Sequence, residues 1–141
     1  MHHETALAGA VAAKPAGAPP KVKGFKGFQG VWKNQYGSTA DLTVNGSAVT
    51  GTYTSAVSSG GGSVSGPIVG HAVDDIICFS VLWPSPHRSI TSWTGQVVDE
   101  GGKETLKTLW HLVLNIEDAS EPTGLWSTTL AGADVFTRER R

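Results

Sequence analysis

Residues 38–55 read STADLTVNGSAVTGTYTS, and their alternation decides the fold class. Ser38, Ala40, Leu42 and Val44 point one way and Thr39, Asp41, Thr43 and Asn45 the other, the period of a strand with one buried face. Asn45-Gly46 is a hairpin signal, because a tight two-residue turn needs positive φ. A returning strand runs from Ala48 to about Val57. Working outward, a strand opens near Gly30, and others follow at Val64–His71, Ile76–Trp83, Ile90–Val98, Thr105–Ile116 and Leu125–Phe136. Gly101-Gly102 marks a turn, and Glu117 to Gly124, with Pro122, is a polar connection. No stretch shows a convincing helical period. Eight short strands joined by short turns predict an all-β fold, an eight-stranded antiparallel up-and-down β-barrel that leaves no edge open. A β-sandwich is the alternative. The barrel is expected over residues 30–138, after a flexible N-terminal extension (1–29) and before a C-terminal tail (139–141).

Composition bounds the rest. The chain has 141 residues, enough for one core. Charged residues make up 16%, below the usual quarter or so, and 18 glycines favour turns over helices. A formal net charge of -1 gives no footprint for nucleic acid, and the basic end Arg138 to Arg141 reads as a solvated tail. One cysteine, Cys78, forms neither an internal disulfide nor a thiolate metal site. No apolar run reaches the length of a membrane-spanning helix, so no membrane partner is expected. Ala6 to Ala13 is mildly apolar and ends in a cleavage-like Val11-Ala12-Ala13. His2, His3 and Glu4 stand where a secretory signal has a basic region, so this stretch reads as a leader segment. Phe25 and Phe28 are expected to tack its end onto the barrel.

No catalytic constellation is present. His71, His87 and His111 are isolated and read as surface residues, Asp74-Asp75 reads as a solvated turn, and neither a nucleophile elbow nor a phosphate loop occurs. The chain is therefore not expected to be an enzyme, nor to hold a metal or cofactor. Its inward faces are more informative. Trp32, Asn34 and Ser38 share one, as do Tyr53 and Ser55, Ser89, Thr91 and Trp93, then Thr108, Trp110 and Leu112, and finally Gly132, Asp134 and Phe136. Polar residues recur among these, seven of them being Asn34, Ser38, Tyr53, Ser55, Ser89, Thr91 and Asp134. Each would cost roughly 1–3 kcal/mol if buried without a partner. They satisfy one another, hold water, or form the placed polar groups of a small-molecule pocket walled by Trp83, Trp93 and Trp110. Alternation does not name the ligand.

Five motifs do point to a family. Gly30-Val-Trp-Lys-Asn-Gln-Tyr-Gly-Ser38, Gly51-Thr-Tyr-Thr-Ser-Ala-Val57, Ser89-Ile-Thr-Ser-Trp-Thr-Gly-Gln96, Thr108-Leu-Trp-His-Leu112, and Trp126 followed by Gly132-Ala-Asp-Val-Phe-Thr137 resemble, in order and spacing, the motifs of the avidins and streptavidin. The resemblance implies high-affinity, non-catalytic binding of biotin, as ligand and not cofactor, in the open end of the barrel. It implies that Asn34, Ser38 and Tyr53 donate to the ureido oxygen and that Ser55 and Asp134 accept from the ureido N–H groups. Thr91 then meets the sulfur, while Ser89 and the backbone near Ser59 meet the carboxylate. Trp83, Trp93, Trp110 and Leu112 form walls. Trp126 implies a homo-oligomer, a tetramer sharing lids, with a dimer as the alternative. It further implies a secreted, extracellular or periplasmic protein that sequesters biotin. A barrel of this family retuned to another small molecule is the alternative. The glycine-rich loop Ser58 to Ser65 departs from the family and would add ordering entropy to binding.

Overall fold

The computed structural model of the protein describes residues 1–12, 22, 24–56 and 62–139. Eight antiparallel strands follow chain order around a closed barrel: β1 (Gly30–Asn34), β2 (Thr39–Asn45), β3 (Ala48–Ser55), β4 (Val64–Val73), β5 (Ile76–Leu82), β6 (Ser89–Glu100), β7 (Lys103–Leu114) and β8 (Thr129–Arg138). β8 closes onto β1 through the pairs Trp32↔Arg138, Lys33↔Thr137 and Asn34↔Phe136. That ladder excludes a sandwich and bears out the barrel read from the alternation. Thr39 to Asn45 show why the pattern was legible: Ala40 and Leu42 are buried, Asp41 and Thr43 exposed. The β2–β3 loop is Gly46-Ser47, since Asn45 still pairs with Ala48, and Gly46 supplies a φ of 61°.

One end of the barrel is plugged. Trp32, Leu42, Val49, Ile68, Ile77, Val97, Leu106 and Phe136 are buried there, and Phe28 packs beneath them. The Trp32 Nε1–H donates to the Phe28 carbonyl at 2.9 Å, and Phe25 meets Phe28 edge-on at 5.0 Å. Arg138 locks this plug. Its guanidinium lies 4.3 Å from the Trp32 ring centre, donates to the carbonyls of Gln29 and Gly27, and pairs with Glu104 at 3.0 Å. Phe25 and Phe28 thus do join the chain ahead of β1 to the core. The opposite end carries the connections after β1, β3, β5 and β7, and it is the mouth.

Three local expectations are corrected. Leu125–Thr128 is a 3-10 turn, not the start of the last strand, which begins at Thr129. Asp75 is buried and accepts from Gln96 Nε2 at 3.3 Å, so only Asp74 of that pair belongs to a solvated turn. His3–Ala12 forms α1, a helix with no apolar face. It follows from alanine's intrinsic preference, which a search for periodicity does not detect. Among the described residues, no helix is long and apolar enough to cross a membrane.

Candidate ligand-binding site

The mouth is built from the ends of strands, which fixes its side chains more tightly than loops would. At the β1–β2 turn, Asn34 Oδ1 accepts the backbone N–H of Tyr36 at 3.0 Å and of Ser38 at 2.9 Å. The turn therefore captures the amide oxygen and leaves Nδ2 aimed inward, where it donates to the Tyr53 hydroxyl at 3.4 Å. Ser38 Oγ accepts from Ala56 N–H at 3.0 Å, and its hydroxyl also hydrogen-bonds Tyr53. Three O–H and N–H groups from β1, the β1–β2 turn and β3 converge at this corner. Burial, foremost, and the Asp134 carboxylate, second, push the Tyr53 phenol well above its ordinary range, against the opposing effect of Ser38. Tyr53 therefore remains a donor throughout the neutral range.

On β8, the strand that neighbours β1, Asp134 is buried and held from two sides. Trp93 Nε1–H donates to Oδ2 at 2.9 Å and Gln35 Nε2 to Oδ1 at 3.2 Å. Its backbone carbonyl accepts from Thr108 at 3.0 Å. Trp93 is stacked between Tyr53 (4.7 Å, 22°) and Phe79 (5.0 Å, 19°), so its indole N–H has little freedom to turn away. Trp83 meets Tyr53 edge-on at 5.7 Å and donates to Thr91 Oγ1 at 2.8 Å. Trp110 sits opposite Trp93 on β7 and lies over Gly132.

The structure brings together most of the residues singled out from sequence. Asn34, Ser38, Tyr53, Ser89, Thr91, Trp93 and Asp134 are buried in the barrel, and Ser55, Trp83, Trp110 and Leu112 are half-buried nearer the rim. Ser59 lies outside the described residues. Trp126 stands apart, 81% exposed on the turn before β8. Sequence reading assigned no role to Gln35, because its partners lie 98–100 residues away. Among the described residues, no buried side-chain nitrogen or oxygen lacks a partner, and no group of three or more His, Cys, Asp or Glu is placed to hold a metal. His71, His87 and His111 are exposed. Chemically, the mouth offers converging donors from β1, the β1–β2 turn and β3, a fixed carboxylate on the adjoining β8, and indole surface beside them. That set suits a flat, neutral polar group with an acceptor at one edge and an N–H at another.

Outside the barrel, Val69, Val73, Ile76, Leu82, Ile90, Leu109 and Val113 expose apolar side chains along β4 to β7. A shallow concavity of about 560 Å³ lies among Ile76, Thr94, Gln96, Leu109, Ala133 and Val135. Its lining is mostly outward-facing, with the buried Thr108 and Asp134 also bordering it, and it includes none of Asn34, Ser38 and Tyr53, so it belongs to this outer face and not to the mouth.

Comparison with known proteins matches residues 23–139 to the Avidin family. Avidin-related protein 4/5 of Gallus gallus is 35% identical over 117 residues, covering 77% of this chain and 75% of its own. Avidin of Gallus gallus is 33% identical over 121 residues, covering 79% and 77%. The structure of xenavidin matches with a TM-score of 0.67 at 33% identity, covering 79% of this chain and 96% of its own. A biotin complex of a shwanavidin variant matches with a TM-score of 0.66 at 28% identity, covering 82% and 100%.

Proposed function

This chain belongs to the avidin family, and from that premise we propose that the mouth of its barrel binds biotin with high affinity and catalyses nothing. One observation carries the reading: the Asn34, Ser38 and Tyr53 donors face a carboxylate, Asp134, that is already fixed by Trp93. A ureido group has the matching pattern. Its oxygen takes the three donors and its two N–H groups go to Ser55 and Asp134. Drawing electron density toward the oxygen while a carboxylate accepts the N–H polarises the group, so each contact strengthens the others. Trp83, Trp93, Trp110 and Leu112 cover the ring system, Thr91 meets the sulfur, and Ser89 with the backbone near Ser59 meets the carboxylate.

Affinity in this reading comes from preorganisation. The donors and the acceptor are satisfied by protein partners set by strand ends and a turn, so binding exchanges one set of hydrogen bonds for another with little reordering. We further propose a homo-oligomer, a tetramer in which Trp126 reaches a neighbouring mouth. Its 81% exposure and the apolar outer wall support that assembly. Secretion and sequestration of biotin complete the proposal.

Removing the acceptor tests the site. Asp134→Ala should speed biotin release about 10–100-fold or more, since a hydrogen bond to a charged group contributes about 1.5–3 kcal/mol. Competitive displacement with labelled biotin measures this. An unchanged release rate would sink the assignment of Asp134 and with it this geometry of binding.

A further inference from the structure

β1 ends at Asn34, opposite Phe136 of β8. One step along, β8 still presents the N–H of Val135 and the carbonyl of Ala133 toward the line that β1 has left. The Gln35 side chain takes both. Its Oε1 accepts Val135 N–H at 2.9 Å and its Nε2 donates to the Ala133 carbonyl at 3.4 Å. A side-chain carboxamide thus stands in for the missing peptide group and extends the ladder past the end of the strand. The same Nε2 also donates to Asp134 Oδ1 at 3.2 Å.

We propose that Gln35 is a positioning residue for the biotin site, holding the Asp134 carboxylate in the orientation that receives a ureido N–H. The proposal rests on the biotin reading. With Trp93 on Oδ2 and Gln35 on Oδ1, the carboxylate plane is set from two walls. Each oxygen keeps acceptor capacity for the ligand. Without Gln35, the carboxylate can swing about its bond to Trp93, and an acceptor that must be reordered binds less well. Gln35 is exposed and outside the core, so it is replaceable without creating a cavity.

Two substitutions separate the two roles. Gln35→Ala removes both the ladder extension and the contact to Asp134. Gln35→Glu keeps an acceptor for Val135 N–H but sets a second carboxylate against Asp134. Biotin release is measured for wild type, both variants, Asp134→Ala and the Gln35→Ala/Asp134→Ala pair. At about pH 7.5, Gln35→Glu should release biotin about tenfold or more faster than wild type. The ratio to wild type should narrow toward about pH 4.5, as the introduced carboxyl takes up a proton and donates in the amide's place. In the Asp134→Ala background, Gln35→Ala should change release less than about twofold. Wild-type-like release by Gln35→Glu at neutral pH, or an equal effect of Gln35→Ala in both backgrounds, would reduce Gln35 to a cap on β8 and overturn the proposal. If wild type itself holds no biotin, the functional reading fails separately. Hydrogen exchange of the Trp93 indole N–H then decides the coupling: faster in Gln35→Glu supports it, unchanged overturns it.

Discussion

At the scale of single residues, the site depends on groups whose own partners leave them one useful orientation. Asn34 is the clearest case. Two backbone N–H groups take its oxygen, so its amide nitrogen has nowhere to point but the mouth. Tyr53 is held as firmly, with its phenol between donors from Asn34 and Ser38 and its ring against Trp93. Its raised folded-state value has a consequence for stability. An unfolded phenol loses its proton near pH 10 or so, whereas the folded one keeps it to higher pH. Tyr53's contribution is therefore whole below about pH 10 and is lost as pH rises through the folded-state value. Denaturant unfolding between about pH 9 and 12 should show a steeper fall in wild type than in Tyr53→Phe. Identical slopes would mean that the phenol is not constrained as described.

At the scale of elements, legibility in the sequence followed the range of the deciding interactions. β2 and β3 were readable because one face is buried or half-buried along their length and period two leaves a mark in every residue. Leu125–Thr128, two apolar residues followed by two hydroxyl residues, is too short to show a period that separates strand from turn, and only the following register, Val113↔Thr129, shows where β8 starts. α1 left no pattern because its side chains from His3 to Ala10 are all exposed. The inward donors were legible from alternation, but their mutual geometry was not. The turn that fixes the Asn34 amide has local marks, an Asn followed by Gly37 at a φ of 87°, which a search for strand alternation passes over, whereas Gln35 works through residues 98–100 positions away. Gly132 is similar: a side chain there would sit 2.5 Å from Cζ2 of Trp110, so the close approach of β8 to that ring requires glycine.

At the scale of the whole molecule, the barrel is asymmetric in two directions. Along its axis, one end is plugged by Phe28, Trp32 and Arg138, so the polar interior opens only at the other. Around its circumference, β2 and β3 turn Thr39, Asp41, Thr43, Thr50, Thr52 and Thr54 outward, whereas β4 to β7 expose Val69, Leu82, Ile90, Leu109 and Val113. A soluble monomer gains nothing from that second surface, and a copy of the same chain would cover it. Light scattering should therefore return a multiple of the 14.7 kDa chain mass, four copies for the tetramer and two for the dimer. A mass of one chain at micromolar concentration would contradict the assembly and leave Trp126 without a role. The mouth carries the proposed binding of biotin. Isothermal titration of ligand-free, folded protein with biotin tests it most directly. Saturation at one biotin per chain, with a transition too sharp to fit, is the expected result. Absence of binding heat at several temperatures would contradict it and point to a barrel of this family retuned to another small molecule.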